Sequence, residues 1–202
     1  MKFVDDVINN IGLPLCGVFR ADGHNAYIAG GIVRDKILNT TFSDLDIFIR
    51  YNGNHDFHFE NIVSGYISKL CKMNKRMSLA SNGIFNKGNY IPEKDFNFIV
   101  IEGGINMEES DVFLGFHTIK VQFIFVNHER VKSLPELLRN FDLSICRCAI
   151  DINGEILIMP ECQRDIDNGT VTAYKSVSGK WEKTKKRQEA NCFKFNFKPV
   201  DK

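Results

Sequence analysis

Residues 26–50, AYIAGGIVRDKILNTTFSDLDIFIR, constrain this chain more than any other stretch. Residues 26–29 read as an apolar strand, Gly30-Gly31 as a turn, the segment carrying Arg34 and Asp35 as a short helix, residues 39–43 as a polar loop, and Asp44 onward as a second strand. Side chains alternate along a strand, so Asp44 and Asp46 share one face while Leu45, Ile47 and Ile49 take the other. The two carboxylates then stand about 6.6 Å apart at Cα and point the same way. Like charges repel and desolvated carboxylates are costly, so such a strand tolerates the pair when something positive neutralises it, and a divalent metal is the natural choice. The glycines let backbone approach a ligand closely. A helix starting straight after them turns N–H groups and a positive dipole end toward an anion such as phosphate.

A phosphate cradle and a two-carboxylate metal site in one strand-turn-helix-strand unit describe metal-assisted nucleotidyl transfer. With Gly30, Gly31, Ile32, Val33, Arg34, Asp35 and then Asp44, Leu45, Asp46, the chain resembles the polymerase-β-like nucleotidyltransferase superfamily. Within it, the similarity is to the catalytic head of class II CCA-adding enzymes and bacterial poly(A) polymerases, whose opening motif runs Gly-Gly-x-Val-Arg-Asp and then Asp-x-Asp. Their later Arg-Arg-Asp-Phe-Thr-Ile-Asn-Ala block, Asn-Gly or Asp-Gly turn and Gly-x-x-Asp-Leu element are matched in order by residues 140–147 (NFDLSICR), Asn153-Gly154-Glu155 and Gln163-Arg164-Asp165-Ile166. The resemblance spans residues 26–166.

It implies an α/β (α+β) fold, a small mixed sheet flanked by helices. It also implies a metal-dependent nucleotidyltransferase that moves a nucleotide from an NTP to a hydroxyl, a tRNA or other RNA 3′ end, and releases pyrophosphate. By the same resemblance Asp44 and Asp46 are catalytic and hold two Mg²⁺ ions, the Gly30 and Gly31 amides cradle phosphates, Arg34 neutralises the departing pyrophosphate, and Asp142 contacts the ribose. Arg34 has a second reading as a salt-bridge partner of Asp35, and Asp142 as a helix or turn cap. The chain departs from the family pattern at three points. Asn140 and Phe141 replace paired arginines, with Arg139 and Arg147 as nearby substitutes. Cys146 stands where Asn is usual. Gln122, an amide that cannot take a proton, occupies the best place for a third carboxylate on a neighbouring strand, leaving Asp142 or Glu102 as possible bases. Two other functions stay open: a toxin-like or other transferase acting on protein or a small molecule, and a non-catalytic nucleotide-binding module.

With 202 residues, 44% hydrophobic and 25% charged, the chain has the make-up of a globular domain with a real core. No apolar stretch is long enough to span a bilayer and residues 1–10 lack a signal-peptide pattern, so the expected location is cytoplasmic, without membrane partners. Six scattered cysteines form no C-x-x-C pair and indicate neither zinc nor a disulfide framework. Net charge is +1, yet residues 180–202 hold eight Lys or Arg against three acids, so the remainder is net negative. This divides the chain into a catalytic domain, 1–175, and a basic extension, 176–202, that reads either as an RNA backbone contact or as a solvated charge run.

Spacing elsewhere predicts a helix over 3–11 stopped by Gly12 and Pro14, and a clear one where Phe59, Ile62, Val63, Tyr66, Ile67 and Leu70 recur. Residues 51–58, with His55 and His58, and 82–93 read as loops, the histidines as exposed residues or a weak metal pair. Strands are expected at 96–101 and 119–126 with a loop at 103–110 between them. Then follow a helix at 131–139, an Asn-Gly hairpin joining 145–151 to 155–159, a turn at 163–168 and a strand at 170–174.

Overall fold

The computed structural model describes residues 2–51, 59–74, 77–80, 86–87, 99–108, 116–127, 131–174 and 181–201. The chain opens on one helical stretch: α1 (Lys2–Val7), a π-helical turn (Ile8–Gly12) and α2 (Leu13–Ala21). Gly12 and Pro14 therefore do not end the helix as their types suggest. The wide turn lets the Leu13 N–H reach the Ile8 carbonyl, and Pro14 follows directly in the first turn of α2. Gly12 serves packing instead, because a Cβ there would stand 2.5 Å from Ile28 Cδ1.

Next come β1 (Asn25–Ala29), α3 (Gly31–Ile37), β2 (Asp44–Tyr51) and α4 (Phe59–Met73). Short strands β3 (Met77–Leu79) and β4 (Asn86–Lys87) precede the long pair β5 (Ile99–Glu108) and β6 (Phe116–Asn127). The loop expected at 103–110 is strand as far as Glu108. Gly104 does not break β5; it is where neighbours close in, and a Cβ on it would meet Ala80 Cβ at 3.0 Å and Thr118 Cγ2 at 3.2 Å. His55 and His58, and the loop at 82–93 apart from β4, lie outside the described residues.

The chain continues through α5 (Leu134–Arg139), capped by the Ser133 hydroxyl, a 3₁₀ turn (Ser144–Cys146), and the hairpin β7 (Cys148–Ile150) and β8 (Ile156–Ile158). Gly154 takes φ +81° in that hairpin, which is why Asn-Gly marks it. The turn expected at 163–168 is part of a helix, α6 (Pro160–Asn168), opened by Pro160 and closed by Gly169 in the left-handed conformation. Then come β9 (Thr170–Ala173), α7 (Trp181–Phe195) and β10 (Lys198–Asp201).

Eight strands form one mixed sheet in the order β3-β5-β6-β2-β1-β7-β8, with β4 also on β5. Among the described residues only β2 and β6 run parallel in it, with Asp44 beside Lys120 and Asp46 beside Gln122. One face is dry: Leu45, Ile47, Ile49, Val121 and Phe123 are fully buried, and Phe19 of α2 packs its ring on Tyr66 of α4 and on Phe123 and Phe125. A second, smaller core gathers Leu143, Ile145, Val171 and Ala173 under Trp181, Phe195 and Phe197. The basic C-terminal segment is thus bonded to the body. Strand β10 pairs in parallel with β9, and Gln188, fully buried, donates to the carbonyls of Val171 and Val200 at 2.7 and 2.8 Å.

Candidate active site

Strand alternation puts Asp44 and Asp46 on the face of β2 away from the core, and the parallel register extends that row to Lys120 and Gln122 on β6 and Glu102 on β5. Asp44 is partly exposed and accepts a hydrogen bond from Ser43 Oγ at 2.7 Å. Asp46 is set deeper. Its Oδ1 is buried with no hydrogen-bond partner, and burial, with the Asp44 charge adding to it, pushes the carboxyl up to about 7; Arg187 and Lys120 oppose the rise. A buried anion with an orphaned oxygen is the arrangement that a cation relieves.

The glycine corner faces this acid. Gly30 adopts φ +83°, and a Cβ on it would lie 3.7 Å from Asp46 Oδ2 and 3.5 Å from the Phe141 ring. One expected role changes here: the Gly30 N–H donates to the Cys148 carbonyl at 3.1 Å, so this amide is committed to the sheet, not to a phosphate. Gly30 brings backbone and carboxylate together, and the amides open to a ligand are those of the first helical turn, beginning with Gly31.

Arg34 meets its salt-bridge reading. Its guanidinium is 10% exposed, donates to Asp35 Oδ1 through Nε at 2.8 Å and to Cys146 Sγ through Nη1 at 3.4 Å, and lies 5.1 Å from the Phe195 ring centroid. Asp35 is buried and also takes Lys194 Nζ of α7 at 3.1 Å, which ties the motif helix to the C-terminal helix. Arg147, a proposed substitute for the missing arginines, is likewise engaged: it donates to the Phe141 carbonyl at 3.0 Å and to Glu161 at 2.7 Å, with Tyr174 stacked 3.8 Å away.

Asp142 is not a cap. The 3₁₀ turn after it has Leu143 as its first flanking residue and no side-chain cap, while the Asp142 carboxylate accepts from Thr184 Oγ at 2.9 Å and from Arg187 Nη1 at 2.8 Å on both oxygens. Arg187 and Thr184 are the site residues that sequence reading misses. Residues 180–202 announce a basic segment, but nothing local says which of its cations returns to a carboxylate 45 positions earlier. Gln122 lies beside Asp46 on β6, and Glu102 lies beside Gln122 on β5. Gln122 Nε2 donates to Glu102 Oε2 at 2.7 Å, Lys120 pairs with the same oxygen at 2.9 Å, and these bonds hold the Glu102 carboxyl below its usual range.

A divalent cation suits this donor set. Small hard cations are held by one or two carboxylates and complete their shell with water and substrate phosphate, and Asp46 Oδ1 is free to ligate. Asp44 and Asp46 are the residues that would hold it. Among the described residues no group of three or more His, Cys, Asp or Glu side chains converges.

Comparison with solved structures finds the same fold, a mixed sheet flanked by helices, in tRNA-processing and CCA-adding enzymes. A tRNA-processing enzyme in an apo form matches with TM-score 0.56 at 20% identity, over 96% of this chain and 44% of that one. A CCA-adding enzyme in complex with ATP matches with TM-score 0.57 at 17% identity, over 96% and 41%. A tRNA nucleotidyltransferase complexed with a primer tRNA and an incoming ATP analog gives 0.52 at 20%, over 91% and 46%. The chain spans less than half the length of each. Its own family is more specific: the model of the Gabija anti-defense 2 family protein matches residues 2–166, and the chain belongs to that family. A search of the curated proteins finds no match. Among the described residues no helix is long and apolar enough to cross a membrane.

Proposed function

We propose that this chain is a metal-dependent nucleotidyltransferase that takes a nucleoside triphosphate as donor and a hydroxyl as acceptor, releasing pyrophosphate. The observation that carries the reading is the buried, unpartnered Oδ1 of Asp46 on a carboxylate that faces the Gly30 corner. Mg²⁺ held by Asp44 and Asp46, two ions when donor and acceptor are both bound, would screen phosphate charge and lower the pKa of the acceptor hydroxyl. The chain's own residues do the rest. Gly31 and the first turn of α3 receive phosphate oxygens, Asp142 accepts from the ribose hydroxyls, and Glu102, paired with Gln122 across β5 and β6, is the carboxylate left in the row to take the proton of a hydroxyl whose pKa the metal would lower.

Two acceptors are supported by different observations. Likeness in fold to tRNA-processing enzymes supports an RNA 3′ hydroxyl, with the basic C-terminal segment along the RNA backbone. Membership in a family described as anti-defense supports a hydroxyl on a component of the Gabija system, so that transfer would disable it. Incubation with Mg²⁺, each labelled NTP in turn, total RNA and purified Gabija components separates them. Label on RNA supports the first acceptor and label on a Gabija component the second. NTP binding with no label transferred to any acceptor would sink the transferase reading and leave a nucleotide-binding module, the function that Gln122 favours.

A further inference from the structure

Cations beside the acid row and Asp142 have prior commitments. Arg34 is 10% exposed and spent on Asp35 and Cys146, Arg147 is spent on Phe141 and Glu161, and Lys120 is paired with Glu102. The arginines that the family pattern places beside Asp142 are absent, since Asn140 and Phe141 stand there. Arg187 fills that space from the other end of the chain. It projects from α7, is 48% exposed at its side chain and touches Asp142 through Nη1 alone, and Asp142 directly follows Phe141, whose ring lies 3.5 Å from a Cβ on Gly30.

We propose that Arg187 is the triphosphate-binding arginine of this site, lent by the C-terminal helix, and that its ion pair with Asp142 is the resting state of a contact that a nucleoside triphosphate exchanges. The inference rests on the nucleotide-site reading above. The arginine is half exposed, so solvent screens its tie to Asp142, whose side chain is 17% exposed, whereas a triphosphate offers a guanidinium several oxygens in bidentate geometry at higher charge. As Arg187 turns from carboxylate to phosphate, Asp142 Oδ1 is released to accept from the ribose, while Oδ2 keeps its bond from Thr184 Oγ and holds the carboxylate in place. The single exchange thus readies two contacts. It needs a helix that stays in place while one side chain moves, and α7 is so anchored: Gln188 is fully buried in bonds to Val171 and Val200, and Lys194 holds Asp35 and the Thr41 carbonyl.

The test is the ratio of nucleoside to nucleoside triphosphate dissociation constants, measured by calorimetry on the full chain in Mg²⁺, with the emission of Trp181, the sole tryptophan and the first residue of α7, as a second signal. Arg187→Ala should lower that ratio about tenfold or more, because a charge-assisted bidentate contact to phosphate is lost while the nucleoside contacts stay. Arg187→Lys should restore part of it. Asp142→Asn should weaken the nucleoside and, because it frees Arg187 for phosphate, weaken the triphosphate less, so the ratio stays at or above wild type. A ratio unchanged by Arg187→Ala, or lowered equally by Asp142→Asn, would make the pair a structural tie and overturn the proposal while the nucleotide site stands. Thermal melts of each variant show whether it is folded. A wild-type chain that binds no triphosphate at all would overturn the site reading and this inference together.

Discussion

Asp46 and Gln122 stand side by side on the parallel pair β2 and β6, a carboxylate next to an amide where the row has room for two acids. The amide is not idle: it donates to Glu102, so the negative charge that a neighbouring acid would bring sits one strand further away, compensated by Lys120. Gln122→Glu should move that charge beside Asp46. Without divalent cations the variant should lose roughly 1 to 3 kcal/mol of stability, the scale of two like charges about 5 Å apart at a protein surface. Added Mg²⁺ should reverse the loss. Urea unfolding with and without Mg²⁺ reads both, and equal stability in the two buffers would argue against a shared cation site.

Asp46 itself should be a liability when no cation is present. Its carboxyl is pushed up to about 7 by burial and by Asp44, so at pH 8 it is held ionised against its surroundings. Replacing it with Asn should raise the stability of the cation-free protein by roughly 1 to 3 kcal/mol, less than the full value of such a shift because the residue keeps some exposure. Mg²⁺ should raise Tm of the wild type and not of the variant, since a ligand stabilises the state that binds it. A Mg²⁺-dependent rise of the same size in both proteins would place the ion elsewhere.

Gly30→Ala tests the corner. Its backbone angles, φ +83° and ψ −133°, belong to glycine, so a side chain there should cost roughly 1 to 3 kcal/mol in strain. The new methyl would also stand in van der Waals contact with Asp46 Oδ2 and the Phe141 ring, where the ligand approaches. Calorimetric titration should therefore show weaker NTP binding even at temperatures where circular dichroism reports a folded chain. Affinity equal to wild type in that folded variant would remove the corner from the site.

Much of this was legible because it is local. The alternation of Asp44, Leu45, Asp46 and Ile47 fixes which face carries charge, and Asn153-Gly154 fixes a hairpin, both within a few residues. Gly12, Gly104 and Pro14 misled for a common reason: each is a breaker by propensity, yet tertiary neighbours decide its use, a wide π turn for Pro14 and close packing for the glycines. The partners of Asp142 were illegible because they come from a helix 42 and 45 positions away, brought over by the β9–β10 pairing. Arg34 was open to two readings since the motif does not say how deep its helix sits; burial against Cys146 and Phe195 supplied the answer.

Asp165 offers a pH prediction free of the metal question. It sits 2% exposed under the second core, accepting from Ser144 Oγ at 2.6 Å, the Thr172 N–H at 2.8 Å and Arg164 at 3.1 Å. Desolvation alone would raise its pKa, but the hydrogen bonds from Ser144 and Thr172, then Arg164, outweigh it and hold the carboxyl below its usual value of 3.8. A folded pKa below the unfolded one means stability that is present in full above the unfolded value and is lost as pH falls through the folded one. Asp165→Asn turns an acceptor toward two fixed donors into a group that is half donor, and should cost roughly 2 to 4 kcal/mol near neutral pH. The gap between wild type and variant should stay level down to about pH 5 and close progressively below it, as the wild-type carboxyl takes up its proton. Urea midpoints across a pH series measure the gap, and one that widened toward acid would mean that Asp165 is held protonated in the native state.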